Sequence, residues 1–160
     1  MESNALQQMM DYLEEYADFL EDAIQAQNDK LEALLSHDVT IIESSVAAQQ
    51  NLAIQMEQFE KGREKHQQEA GFADKTLAEI AQELEQAAPE QARRVLNCQG
   101  RMSRAVEQIK FLNSKAMRLV ETNLQIVNMG APPVDNLETY TERAKKIASS
   151  SGQSIFQAKV

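Results

Sequence analysis

Three observations predict an all-α fold for this chain: an elongated antiparallel helical bundle or coiled coil of three long helices plus one short helix, with a flexible C-terminal tail. Apolar residues recur at alternating steps of three and four over long stretches, which keeps one helix face turned to a partner. Pro and Gly number only 3 and 5 in 160 residues, too few for the frequent turns of a β-sandwich or barrel. Trp is absent and aromatic residues make up 5%, so the core must be built from Leu, Ile, Val, Ala and Met, as in a narrow bundle.

The expected helices cover about 2–36, 38–69, 76–87 and 89–129. The first carries the seam Leu6, Met10, Leu13, Ala17, Leu20, Ile24, Gln27, Leu31 and Leu34, broken only by Gln27. At 1.5 Å per residue it is a rod of roughly 50 Å. Ser36-His37-Asp38 marks a tight turn, with Ser36 or Asp38 as the N-cap of the next helix. The second helix uses Ile42, Val46, Leu52, Met56 and Phe59, with Gln49 between, and its seam turns charged after Phe59. Gly62 weakens it by about 1 kcal/mol relative to Ala, and Gly71 suits its stop. Thr76 and Glu79 have capping-box spacing for the short helix, whose apolar face is Leu77, Ile80, Ala81 and Leu84. Pro89 opens the fourth helix, whose seam is Val95, Cys98, Met102, Ala105, Ile109, Leu112, Ala116, Leu119, Asn123 and Ile126. Leu96, Val106, Val120, Leu124 and Val127 widen that stripe. Gly130 and Pro132-Pro133 end it. These helices make one bundle over 1–131. The stretch 132–160, with Ser149-Ser150-Ser151-Gly152, reads as a mostly disordered tail holding at most a short helix over Leu137 to Ala148.

Charge is unevenly placed. The chain carries a formal net charge of −9, which disfavours nucleic-acid binding because phosphate neutralisation needs a basic surface. Residues 1–60 hold 13 acidic residues against Lys30 alone, whereas 89–129 hold seven basic residues against Glu90, Glu107 and Glu121. An acidic and a basic helix of similar length make natural neighbours, which selects one pairing over another; the alternative is that the acidic helix is simply solvated. The N-terminus lacks the basic and apolar regions of a secretory signal, and no run approaches the roughly 18 apolar residues of a membrane span. A single cysteine fits a reducing compartment, so the expected location is cytoplasmic with no direct membrane insertion.

Chemistry is sparse. A di-iron bundle needs Glu-x-x-His pairs, but Leu34 and Arg63 stand three residues before His37 and His66. His66 and Glu69 are one helical turn apart, a surface coincidence. Cys98 lies on the fourth seam as a small hydrophobe. No Gly-rich phosphate loop or Gly-x-Ser-x-Gly elbow occurs. Catalytic, cofactor and metal residues are therefore expected to be none, and the chain is expected to be no enzyme. A bundle of this kind works through its surface. Helix four is apolar over more of its circumference than one seam needs, most of all at Leu119, Val120, Leu124, Ile126 and Val127. Either that stripe accepts an amphipathic partner helix, or helix three and the tail cover it.

At this point the sequence resembles the FlgN family of flagellar export chaperones. Leu34-Leu35-Ser36-His37-Asp38 is similar to the family's first turn, and Met56-Glu57-Gln58-Phe59-Glu60-Lys61-Gly62-Arg63 resembles its Leu-x-x-Leu-Glu-x-x-Arg pattern. Thr76-Leu77-Ala78-Glu79-Ile80 resembles the short middle element. Leu112-Asn113, then Leu119-Val120-Glu121, looks like the family's Leu-Asn-x-x-Asn-x-x-Leu-Leu segment, with Ala116 where the second Asn would stand. Tyr140 and Gly152-Gln153 look like features of its tail. The resemblance implies a cytoplasmic chaperone that binds the C-terminal helices of the hook-associated (hook-filament junction) proteins FlgK and FlgL and delivers them to the flagellar type III export gate. It implies client contacts at Leu119, Val120, Leu124 and Val127, docking on the gate protein FlhA through Tyr140, and a monomer or weak dimer. The competing reading is a self-associating coiled-coil tether or helical adaptor with no export role.

Overall fold

A computed structural model describes residues 2–128, together with Glu142 and Lys145, which are helical. The expected tail of 132–160, including Tyr140, otherwise lies outside the described residues, as do the side chains of Leu124 and Val127. Four helices follow in order: α1 (Glu2–Ser36), α2 (Val39–Glu69), α3 (Leu77–Leu84) and α4 (Pro89–Asn128). Among the described residues there is no strand.

Local chemistry sets each boundary. His37 takes a left-handed φ of 54° to leave α1. Asp38 then caps α2, its Oδ1 accepting from the amides of Thr40 and Ile41. Two residues between helices leave room only for a reversal, so α1 and α2 form a hairpin. At the other end of α2, Gly71 adopts φ 86° and the amides of Gly71 and Phe72 donate back to the carbonyls of Gln68 and Gln67 at 3.1 and 2.7 Å. This is the paired closure that a left-handed glycine permits. The Thr76 hydroxyl accepts from the Glu79 amide at 3.2 Å and starts α3. That helix stops at Leu84, short of the expected 87, because Glu85-Gln86-Ala87 turn the chain into the N-terminus of α4.

Helix α1 lies against both α2 and α4, and α3 lies against α4. Residue numbers on α2 fall as α1 advances: Tyr12 meets His66, Tyr16 meets Glu60 and Gln27 meets Gln49. Contacts to α4 rise together: Arg94 meets Asp11 and Glu14, Arg101 meets Asp18 and Glu21, and Asn113 meets Lys30. The hairpin is therefore antiparallel, while the acidic α1 and basic α4 run parallel with a nearly constant offset of 80 to 83 residues. The expectation of antiparallel rods needs that qualification. An up–down–up path leaves the first and last helices pointing the same way.

The seams pack as spaced. Met10, Leu13, Ala17 and Leu20 of α1, Leu52 and Met56 of α2, the apolar face of α3, and Val95 to Ile109 of α4 build one large core cluster. Phe59 gathers the aromatics, with ring centroids 5.7 Å from Tyr12, 5.2 Å from Tyr16 and 4.6 Å from Phe19. Gly62 does more than weaken α2: a Cβ there would sit 1.9 Å from the Tyr12 hydroxyl, so the glycine admits the ring. The seam of α2 also continues past Phe59 in polar form. Arg63 and Gln67 are buried, and Tyr16 Oη donates to Glu60 at 3.0 Å. Glu60 pairs with Arg63, Arg63 donates to Gln67, and Gln67 donates to the carbonyls of Phe72 and Lys75. A buried charge is tolerated here because it is paired at every step.

A smaller cluster of Leu34, Ile42, Val46, Ala116 and Val120 closes the far end of the bundle. Between the two clusters lies a polar layer. Gln27 donates to Gln49 at 3.3 Å, Gln49 donates to the Ala26 carbonyl at 3.2 Å, and the ammonium of Lys30 donates to Asn113. Lys30 is wholly buried, and that desolvation lowers its pKa to about 8. The sign follows. A lysine whose folded pKa is depressed costs stability while it is charged, and the cost is relieved as pH rises from the folded towards the unfolded value. Burial also raises the Cys98 thiol, to about 11, and the Tyr16 phenol, and both subtract stability at higher pH. The window for Lys30 is therefore pH 8 to 9. Urea unfolding of the wild type should show stability rising by roughly 1 kcal/mol across that window relative to Lys30→Met. Parallel pH profiles for the two proteins would contradict the burial of a titrating lysine.

Candidate functional site

The constant offset between α1 and α4 locates the site. At 80 to 83 residues, Val120 stands level with the His37-Asp38 turn. Residues 121–128 of α4 therefore run past the tip of the hairpin, by roughly 12 Å at 1.5 Å per residue. Exposure agrees: Glu121, Thr122 and Gln125 are exposed and Asn123 is half-buried. Neither α1 nor α2 has residues at that height to cover this overhang.

The sequence-predicted residues divide at the same level. Val120 is 2% exposed, seated with Leu34, Ile42 and Val46, so its apolar surface already has an intramolecular partner. Leu119 is half-buried and packs on the rim of that cluster with Leu31 and Val39. Leu124 and Val127 belong to the overhanging backbone. Ala116, which replaces the second Asn of the motif, is fully buried among apolar neighbours, where an amide would lack partners. Asn113 of the same motif holds Lys30.

Other apolar residues went unmarked in the sequence. Leu35 and Ile41 flank the turn and are 59% and 47% exposed, directly at the level where α4 outruns the hairpin. Phe111 is 61% exposed on α4, with the Lys115 ammonium 5.3 Å from its ring centroid. Leu35 could have been found from the sequence, because it stands one residue past the seam position Leu34. Phe111 carries a similar signal beside Leu112. At the opposite end of α4, a groove of about 370 Å³ opens between α3 and α4, lined by Ala81, Pro89, Ala92 and Leu96 among others.

Reactive groups are held in structural roles. Cys98 is buried, and burial first, then Glu14, raises its thiol, which disfavours the nucleophilic thiolate. His66 stacks on Tyr12 at 4.6 Å between ring centroids, with Nδ1 3.8 Å from Glu69. Among the described residues no three His, Cys, Asp or Glu side chains cluster as metal ligands. No helix among them is long and apolar enough to cross a membrane.

What remains is a helical bundle with an apolar helix end projecting from a hairpin tip. Comparison with known families gives that geometry a context: the family model described as FlgN protein matches residues 1–130, which is all of α1 to α4. The chain belongs to the FlgN family. No curated protein and no solved structure matches it. Membership of the FlgN family carries a flagellar export chaperone role in general terms, and FlgN is a chaperone family rather than an enzyme family. Within this FlgN-family chain, the Glu60 and Arg63 of the second-helix motif form the part-buried ion pair that ties α2 to Tyr16. The motif residues described here are thus framework, and the projecting end of α4 is the candidate contact surface.

The two classes of residue should respond differently to mutation. Val120→Ala should destabilise the fold by about 1–3 kcal/mol in urea unfolding, whereas Phe111→Ser should stay within about 0.5 kcal/mol. The reverse order would mean that α4 is rotated from the orientation described.

Proposed function

We propose that this chain is a cytoplasmic export chaperone that holds the C-terminal helices of the hook-associated proteins FlgK and FlgL and delivers them to the export gate through FlhA. The observation that supports this reading is the family match through the whole bundle, taken with the overhang of α4 beyond the hairpin. A client helix is amphipathic and needs an apolar strip on which to bury spaced anchors. Burial stabilises the complex by roughly 25 cal/mol per Å² before association entropy is subtracted. Leu119, Leu124 and Val127 supply that strip in this reading. Val120, buried against Leu34, Ile42 and Val46, contributes by anchoring the root of the projecting helix. Holding the client's helices in this way would prevent their premature assembly.

Gate docking is assigned to Tyr140 by its likeness to the tail tyrosine of the family. A partner site on the far side of Pro132-Pro133 from α4 lets one segment bind the gate while the bundle keeps its client. The acidic surface of the chain disfavours nucleic acid as a competing partner.

Leu119→Asp combined with Leu124→Asp should abolish co-elution with the C-terminal region of a hook-associated protein while far-ultraviolet circular dichroism stays helical. Tyr140→Ala should retain that complex and lose FlhA in pull-down. If the double Asp variant still binds the client at wild-type affinity, the end of α4 is not the contact surface.

A further inference from the structure

We infer that the polar layer of Gln27, Gln49, Lys30 and Asn113 divides the bundle into two units that open separately, the distal one the more readily. Three features of the structure converge on this. The large cluster extends on α1 from Met9 to Ala23 and on α4 from Ala92 to Ile109, whereas among the described residues the distal cluster holds five buried ones. Both inter-helix arginine forks, Arg94 to Asp11 and Glu14 and Arg101 to Asp18 and Glu21, lie on the proximal side. One turn pair further on, the corresponding positions are Gln25 and Gln108, so the charged ladder stops before the polar layer. Within the layer the buried positions of α1 are Gln27 and Lys30, and on α4 only Leu112 stays apolar beside Asn113, so apolar packing thins between Ala23 and Ile109 on one side and Leu34 and Ala116 on the other. A structure opens first where apolar contacts are fewest and polar groups can return to water.

Opening of the distal unit separates Ala116 and Val120 of α4 from Leu34, Ile42 and Val46 of the hairpin. It leaves the proximal core closed. That frees the root of the projecting helix, Leu119 included, to adjust to a client helix; this consequence, unlike the opening, rests on the chaperone reading above. The polar layer then acts as a built-in hinge. It sets how often the root of the projecting helix is free without lowering the stability of the rest.

Hydrogen exchange on the full chain, with no client present, tests the opening itself. Amides of 31–46 and 114–120 should exchange on the order of tenfold faster or more than those of 9–23 and 92–109. Replacing the layer's Lys30–Asn113 hydrogen-bonded pair by Lys30→Met with Asn113→Leu should slow the distal amides about tenfold and leave the proximal ones unchanged, because both partners of a buried polar pair are removed together. Uniform protection along α4 in the wild type would overturn the inference, and so would a double variant that shifts both ends equally. If the double variant does not fold, the wild-type profile still decides. A two-tier profile in a protein that binds no client helix would keep the hinge and remove the chaperone reading.

Discussion

Helix α1 has to satisfy two long neighbours at once, and the rest of the molecule follows from how it does so. Its contacts with α2 and with α4 lie on adjoining strips, so residues buried in pairs recur along it: Met9 with Met10, Tyr16 with Ala17, Ala33 with Leu34. The α2 side is fixed by the two-residue turn, the aromatic group around Phe59 and the Tyr16–Glu60–Arg63 chain. The α4 side is fixed in register by two arginines, each straddling two carboxylates one helical turn apart. Such exposed pairs contribute only about 0.2–1 kcal/mol each. Their repeat of seven residues nonetheless rejects a slipped alignment, which would set Arg94 or Arg101 against uncharged positions. Because α1 fixes the register of α4, it also decides how far α4 projects past the hairpin.

Much of this was legible in the sequence, for a physical reason. A three-and-four spacing is a direct consequence of helical periodicity, so the fourth seam from Val95 to Ala116 is buried throughout. Caps are local chemistry, which is why Asp38, Gly71 and Thr76 stand where their side chains or missing side chain suggest. The acidic and basic helices are indeed neighbours. What the spacing could not carry was anything decided by a distant partner. Lys30 reads as a lone cation in an acidic stretch, and its place inside depends on Asn113, 83 residues on. Arg63 and Gln67 read as the end of a seam because their burial depends on Glu60 and on carbonyls of the following loop. Gly62 reads as a weak point until Tyr12 is placed over it.

The candidate site was legible as a region and not residue by residue. Excess apolar surface at the end of α4 is a property of its own sequence. Which of those residues the bundle itself consumes depends on the register with α1. Val120 falls level with the turn and is absorbed; the positions after it fall beyond the turn. Leu35 and Ile41 become part of the same locality only because the turn sits there. The family relationship supplies the general role, flagellar export chaperone.

Size-exclusion chromatography with light scattering, on the protein alone and with the C-terminal region of a hook-associated protein, tests the proposed chaperone role. A chaperone of this kind is expected as a monomer or weak dimer that converts to a stoichiometric complex with the client. Separate elution of the two, with the protein alone a tight dimer at micromolar concentration, would contradict it and point to a self-associating coiled-coil module.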